Sequence, residues 1–497
     1  MNLASYLQAQ AGQRPTHPMI RFEGRTYTYA DVQDEVVRLS AALADAGVRK
    51  GDRVALFLPN VPEFAITYYA AQRIGAITVT INAIFKTEEV RFLLDDSGSK
   101  VVFTVAELAQ YVPADCPALE HCIRVDAPGN EPDSLGAWLA REATPVHMAE
   151  CAPEDPAALL YSSGTTGFPK GVTLTQRNIH SNIPLSARYS GYVPEDKLAV
   201  FLPLFHVYGQ NYLMNAGVLA GVTLVMFRRF VPDLVLGAIA RERITMFFGV
   251  PTIFIGVLAM DLSGYDLSSL RYEMSAAATM PEEISRRWHE KFGRRIFEGY
   301  GLTECSPFAC YNDLHEHRFG SVGRAVEGFE LAIFDENDQE VPRGTWGEIA
   351  IRGEGVMAGY WGRPDDTARA LRGGWLHSGD IGRMDDDGYV FIVDRVKDMI
   401  NVSGFKVWPA EVEQYLYKLP QVQEVAVYGI PHAEKGEQVV VAVVAKPGQA
   451  ITADEVLAYC RDNIAAYKVP ARVDVVSELP KSATGKILKR VLRDAAS

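Results

Sequence analysis

Short apolar runs alternate with segments of helical period along most of this chain, and that alternation restricts it to folds built around parallel sheets. Thr28 and Asp31 have the spacing of a capping box; Val32, Val36, Leu39 and Leu43 then share one helical face until Gly47 supplies a stop. The apolar runs Val54–Leu58, Ala76–Ile81 and Lys100–Val105 follow, separated by helical segments that begin after Pro62 and near Thr87. A second set resumes beyond Tyr161, with strand-like Leu198–Phe201, Thr223–Phe227 and Met246–Phe248. From about Ser321 the pattern changes. Glu330–Phe334, Gly347–Arg352 and Tyr389–Val393, set between Asp/Gly/Pro turns, read as antiparallel strands of a small barrel.

After the charged stretch Asp394–Asp398 the order is helix (Pro409–Tyr417), strands (Gln423–Gly429 and Gln438–Ala445), helix (Ala453–Ile464), strand (Ala471–Val476) and helix (Gly485–Ala495). That is a separate α+β unit of about a hundred residues. Since 497 residues exceed what one core accommodates, the expected fold is a multidomain α/β protein. Two α/β subdomains and a distorted β-barrel make up residues 1–394, and the α+β unit occupies residues 395–497.

The net charge of −13 repels phosphate backbones, and no Lys/Arg run reverses it locally, so nucleic acid is not an expected partner. An anionic small molecule must instead be met by backbone N–H groups and a few placed cations. Cys116, Cys122, Cys151, Cys305, Cys310 and Cys460 form no CxxC pair, which argues against a zinc site or a disulfide framework and for reduced thiols in the cytoplasm. Residues 1–13 lack a signal-peptide pattern. The most apolar stretch, Ile244–Met260, contains Pro251 and is shorter than a spanning helix, so it reads as a buried wall and no integral membrane association is expected.

The most informative segment is Tyr161-Ser162-Ser163-Gly164-Thr165-Thr166-Gly167-Phe168-Pro169-Lys170-Gly171. Small residues let the backbone approach phosphate oxygens, while the hydroxyls and the lysine add donors. It is not the nucleotide-hydrolase P-loop, because Pro169 precedes Lys170 and Gly171 follows it. Taken alone, it could also be a Ser/Thr/Gly-rich surface loop.

This segment resembles the phosphate-binding signature of the adenylate-forming superfamily, which includes acyl-CoA synthetases, luciferases and nonribosomal adenylation domains. Further motifs follow in the superfamily's order: Tyr300-Gly301-Leu302-Thr303-Glu304, Trp375-Leu376-His377-Ser378-Gly379-Asp380, Asp394-Arg395-Val396-Lys397-Asp398 and Pro480-Lys481-Ser482-Ala483-Thr484-Gly485-Lys486. The stretches 298–306, 394–409 and 478–493 are most similar to bacterial medium- and long-chain fatty acyl-CoA ligases. The resemblance implies ATP, Mg²⁺ and coenzyme A, a small carboxylic acid as partner, a monomer or homodimer, and a mobile C-terminal domain. The implied reaction turns a carboxylic acid into an acyl-adenylate with release of pyrophosphate, then passes the acyl group to coenzyme A with release of AMP. A medium- or long-chain fatty acid is the first expectation; an aryl or cinnamate-type acid, or a carrier protein as acceptor, is the alternative.

By the same resemblance, Lys486 contacts the carboxylate and α-phosphate, Thr303 bonds an α-phosphate oxygen, and Glu304 with Thr165 holds the metal. Ser162, Ser163, Gly164, Thr165, Thr166, Gly167 and Lys170 cradle phosphate. Glu298, Gly299 and Tyr300 face adenine, while Asp380 with Arg395 meets the ribose. Phe205, His206, Tyr208, Tyr212, Val250, Pro251, Ala276, Ala277 and Gly299 are the expected acyl pocket, with His206 resembling an aromatic gate. Lys397 lies at the hinge, and Ser403, Gly404 and Lys406 belong to the turn that would line a pantetheine tunnel. The bland readings are a solvated lysine opening the last helix for Lys486, a core histidine for His206 and a surface carboxylate for Glu304. Two departures bear on the acid: Ser275-Ala276-Ala277-Ala278-Thr279 replaces a Gly-rich version, and Tyr212 stands where smaller residues are common. Added bulk disfavours long chains.

Overall fold

The computed structural model describes residues 1–162, 169–432 and 434–496. Among these residues four sheets form. The first, mostly parallel, runs in the order Gly359–Tyr360, Lys170–Thr175, Pro156–Ser162, Ile77–Thr80, Arg53–Phe57, Val101–Thr104, His121–Arg124. The second runs Arg324–Ala325, Cys310–Tyr311, Ile296–Tyr300, Tyr272–Ser275, Met246–Gly249, Lys197–Val200, Thr223–Met226, Pro18–Phe22, Arg25–Thr28. These are the two α/β subdomains. Their central strands are buried along their whole length, as strands covered on both faces must be.

Local signals act where expected. The Thr28 hydroxyl accepts from the Asp31 N–H, the Asp31 carboxylate accepts from the Thr28 N–H at 2.8 Å, and helix Tyr29–Asp45 follows with Val32, Val36, Leu39 and Leu43 buried. The stretch Ile244–Met260 folds into strand Met246–Gly249 and helix Pro251–Leu258, packed inside the second subdomain. No described helix is long and apolar enough to cross a membrane.

The texture change near Ser321 gives a third, antiparallel sheet: Phe329–Phe334, Gly347–Gly353, Leu376–Met384, Val390–Arg395. That sheet ends at Arg395, and the fourth begins at Ile400, with the single turn Val396–Asp398 between them. The fourth sheet pairs Val422–His432 with Gly436–Ala445, flanked by Ile400–Val402, Phe405–Val407 and Arg472–Val475.

One expected element is corrected. The last helix spans Lys489–Ala496 and does not open at Gly485. Lys481 and Ile487 form an antiparallel bridge, Ser482 N–H donates to the Lys486 carbonyl at 2.8 Å, and Gly485 turns the chain at φ +82°. Only a residue without a Cβ takes that conformation without strain. Lys486 therefore stands on a hairpin.

Candidate active site

The large lobe delivers its polar residues from strand ends of the first and second sheets, where open α/β folds bind ligands. Strand Pro156–Ser162 ends at Ser162, whose hydroxyl donates to Glu304 Oε1 at 3.1 Å. The Tyr360 hydroxyl donates to the same oxygen at 3.2 Å. Glu304 lies in the turn Thr303–Cys305, just after strand Ile296–Tyr300. Gly301 is required there, because a Cβ would come 1.5 Å from the Pro307 carbonyl oxygen. Lys170 opens the partner strand of Pro156–Ser162 and is held by Asp366 at 3.0 Å, with its ammonium 5.2 Å from the Tyr360 ring centroid. Ser163, Gly164, Thr165, Thr166 and Gly167 lie outside the described residues.

Glu298 and Tyr300 are buried on strand Ile296–Tyr300. Burial pushes the Glu298 carboxyl up to about 8, against one backbone N–H, that of Met280, which favours its charge. The Tyr300 hydroxyl donates to Asp380 Oδ2 at 2.8 Å, and Arg395 Nε lies 3.1 Å from Asp380 Oδ1. Adenine-side strand and ribose-side carboxylate are thus tied together, although Asp380 and Arg395 come from the third sheet. Burial raises Asp380; the Arg395 charge opposes the shift.

The hairpin docks on the large lobe. Thr252 donates to the Gly485 carbonyl at 2.8 Å, and Thr484 lines a small cavity with Leu202, Pro203, His206, Tyr208, Gly209, Val250 and Ala277; within the small domain, Lys481 pairs with buried Glu424 at 2.8 Å and ties the hairpin to the fourth sheet. Lys486 is exposed on the hairpin, yet the surrounding protein mass desolvates it. That desolvation, followed by the Arg395 charge, lowers its pKa to about 8; Asp380 and Asp398 oppose the shift. Burial, with the Lys486 charge second, lowers His206 to about 4 and keeps it neutral at physiological pH. A basic limb near pH 8 in kcat/KM for adenylation is the expected result, because kcat/KM reports the free enzyme. Above that pH the ammonium is lost and the rate falls with each further unit. Lys486→Arg, charged throughout, removes the limb in a pH profile of pyrophosphate exchange.

Of the nine residues expected around the acyl group, His206, Tyr208, Val250 and Ala277 line this cavity, whose void is about 10 Å³. Pro251 opens the helix behind Val250, Phe205 and Ala276 are half-buried beside it, and Ala277 takes φ +70°. Tyr212 lies behind Tyr208, edge-on to it at 5.4 Å and edge-on to Phe248 and Phe308 at 5.9 and 5.4 Å. Its hydroxyl is 2.6 Å from Ser190 Oγ. A Cβ on Gly299 would meet Met274 Cε at 2.6 Å, so Gly299 packs directly against the Met274 side chain. Among the described residues the buried Tyr208 hydroxyl has no hydrogen-bond partner.

Ser403, Gly404 and Lys406 stand away from this cavity: Lys406 pairs with Glu336 at 3.0 Å, and Phe405 stacks on Tyr467 at 4.8 Å. Lys397 is exposed in the turn between the third and fourth sheets.

Four positioning residues escaped the sequence reading. Asn60 donates to the Leu202 carbonyl and accepts from the Leu204 N–H, both at 2.9 Å, and Thr80 donates to the Phe205 carbonyl at 2.8 Å. Together they fix the His206 loop from the first sheet. Tyr360 and Thr252 are the others. A buried polar residue just past an apolar run, as in Leu58-Pro59-Asn60, was the available signal.

The sequence profile of the AMP-binding enzyme family matches residues 7–361, and that of the AMP-binding enzyme C-terminal domain matches residues 411–486. The chain belongs to this family. By family it is an AMP-forming acid–thiol ligase, an acyl-CoA synthetase. It is 34% identical to a long-chain-fatty-acid–CoA ligase of Bacillus subtilis, covering 99% of this chain and 94% of that one. Against a feruloyl-CoA synthase of Amycolatopsis sp. the identity is 36%, covering 99% and 98%. The solved anthranilate CoA ligase AuaEII in complex with anthranoyl-AMP superposes with a TM-score of 0.94 at 31% identity, covering 100% of this chain and 97% of that one.

The donor set around Glu304 fits a magnesium ion. One carboxylate beside a hydroxyl suits a cation that takes its remaining ligands from phosphate and water. The triad Asp338, Glu348 and His377 is a poorer candidate, because Arg372 already forks onto Asp338 with both contacts at 2.8 Å.

Proposed function

We propose that this synthetase activates a compact aromatic acid carrying a polar substituent, in preference to a long-chain fatty acid. The observation that carries this reading is the wall behind Tyr208. Tyr212 is wedged among three rings and tethered to Ser190, so it stops an extended chain, whereas the Tyr208 hydroxyl is buried without a partner. An unsatisfied buried hydroxyl costs free energy that a substrate hydroxyl, methoxy or amino group recovers. Relatives named for feruloyl, 4-coumarate and anthranilate favour the same class; those named for long-chain fatty acids favour the other.

The carboxylate and ATP meet at Lys486, whose ammonium offsets the charge of two approaching anions, while Thr303 orients the α-phosphate. Glu304, with Thr165, would hold a Mg²⁺ ion, which would offset the charge of the triphosphate when bound. Ser162 and the glycine-rich loop with Lys170 hold the phosphates, Glu298, Gly299 and Tyr300 the adenine, and Asp380 with Arg395 the ribose. His206, neutral, closes the acyl pocket against water. Lys397 is the hinge: turning there withdraws Lys486 and brings Ser403, Gly404 and Lys406 toward the acyl-adenylate for coenzyme A. The boundary between the two domains is placed beside this turn, the third sheet keeping Arg395, one residue beyond the expected 394/395.

A coenzyme A-dependent AMP-release panel of benzoate, 4-hydroxybenzoate, 4-coumarate, octanoate and palmitate tests the acid. The hydroxylated rings should show the highest kcat/KM, and palmitate as the best substrate would sink the reading. Tyr212→Ala should shift preference toward octanoate and palmitate while costing about 3–5 kcal/mol in stability, measured by denaturant unfolding.

A further inference from the structure

A second concavity lies at the far end of the nine-stranded sheet, between the hairpin Pro18–Thr28 and helix Pro232–Glu242. Its volume is about 430 Å³, the size of a small-molecule site. The apolar floor is Phe22, Val225, Met226 and Phe227, and the exposed Val231 and Leu234 extend it along the helix.

The charge around this floor runs against that of the whole molecule. Five arginines, Arg21, Arg25, Arg228, Arg229 and Arg241, face two glutamates, in a chain whose net charge is −13. Glu242 is shared by Arg21 at 2.6 Å and Arg241 at 3.3 Å, and its carbonyl also takes Lys197 at 2.7 Å. Glu23 is spent on Arg228 at 2.7 Å. Arg25 and Arg229 form no ion pair among the described residues, and Arg21 Nε is buried without an acceptor. Glu63 lies near Arg25 and Arg228 but is largely buried, Asp126 also acts on Arg228, and neither carboxylate forms an ion pair with Arg25 or Arg229. Crowded cations without counter-charges are costly unless an anion relieves them, and guanidinium forks suit a carboxylate.

The site shares no lining residue with the catalytic cavity and is separated from it by packed aromatic rings. Phe230, next to Arg229, packs on Phe201 and Phe247 at 4.9 and 6.4 Å, and those rings lie on the strands that lead to the His206 loop and to Val250. We propose that this groove binds an amphiphilic carboxylate, its head on Arg25, Arg229 and Arg21 and its body on the apolar floor. The choice of carboxylate rests on the acid-activating reading above, since a free acid is what this enzyme must gather from solution.

Equilibrium dialysis with octanoate, using octanol as the uncharged control, tests this on the full chain. Wild type should bind one more octanoate than the Arg25→Glu/Arg229→Glu double variant, with no difference for octanol. Leu234→Asp, which alters the floor and leaves the arginines intact, should lose the same equivalent. Matched thermal melts establish that both variants fold. An equal octanoate count in wild type and both variants would overturn the site, as would an octanol difference of the same size. Acid-dependent AMP release, measured separately, distinguishes failure of the activity reading: no turnover with an intact extra equivalent sinks that reading and keeps the site.

Discussion

Lys486→Ala should lower acid-dependent exchange of labelled pyrophosphate into ATP by about 10²–10³-fold, the cost of removing one placed donor from a developing charge. The same variant, supplied with preformed acyl-adenylate, should make acyl-CoA at close to the wild-type rate, because on the proposed hinge motion Lys486 is withdrawn before coenzyme A is engaged. The placement of Lys486 motivates the first half of this expectation. The hairpin sets Lys486 near Asp380, Arg395 and His206, each of which alters or feels its charge. Undiminished exchange would remove Lys486 from the chemistry altogether.

The second large effect is expected at the hinge. Lys397→Pro fixes φ near −65° in the turn that joins the third and fourth sheets. Adenylation should stay close to wild type, because the hairpin is already docked. Coenzyme A-dependent turnover of isolated adenylate should fall by about 10²-fold, the penalty for leaving the acceptor misplaced. A normal thioesterification rate in that variant would place the pivot elsewhere, and stopped-flow mixing of adenylate with coenzyme A measures it.

How much of this was legible beforehand depended on whether the cause was local. The capping pair Thr28 and Asp31, the apolar strands around Val54, Thr78 and Val102, and the helix after Pro409 carry their signals within a few residues. The phosphate loop, the Tyr300–Glu304 turn and Asp380 were readable as motifs, and the structure joins Ser162 to Glu304 and Tyr300 and Arg395 to Asp380. Strand Pro18–Phe22 joins the second sheet through a pairing with Leu224 and Val225 some two hundred residues away, which no local pattern announces. The Gly485 turn was misread for a related reason. Ile487, Leu488, Val491 and Leu492 repeat at helical spacing, but the bridge from Lys481 to Ile487 and the bond from Thr252 override the first turn. Asn60 and Thr80 acquire their roles only when the His206 loop arrives from another subdomain.

The bond between Thr252 and the Gly485 carbonyl bears on tempo as well as placement. A neutral hydrogen bond of this kind contributes about 1 kcal/mol net, little more than thermal energy. That bond by itself adds little to the barrier for disengagement, which it shares with the Lys406–Glu336 ion pair and the Thr484 contact. Strengthening it, for instance with a charged partner at position 252, would trade a firmer first half-reaction for a slower second one.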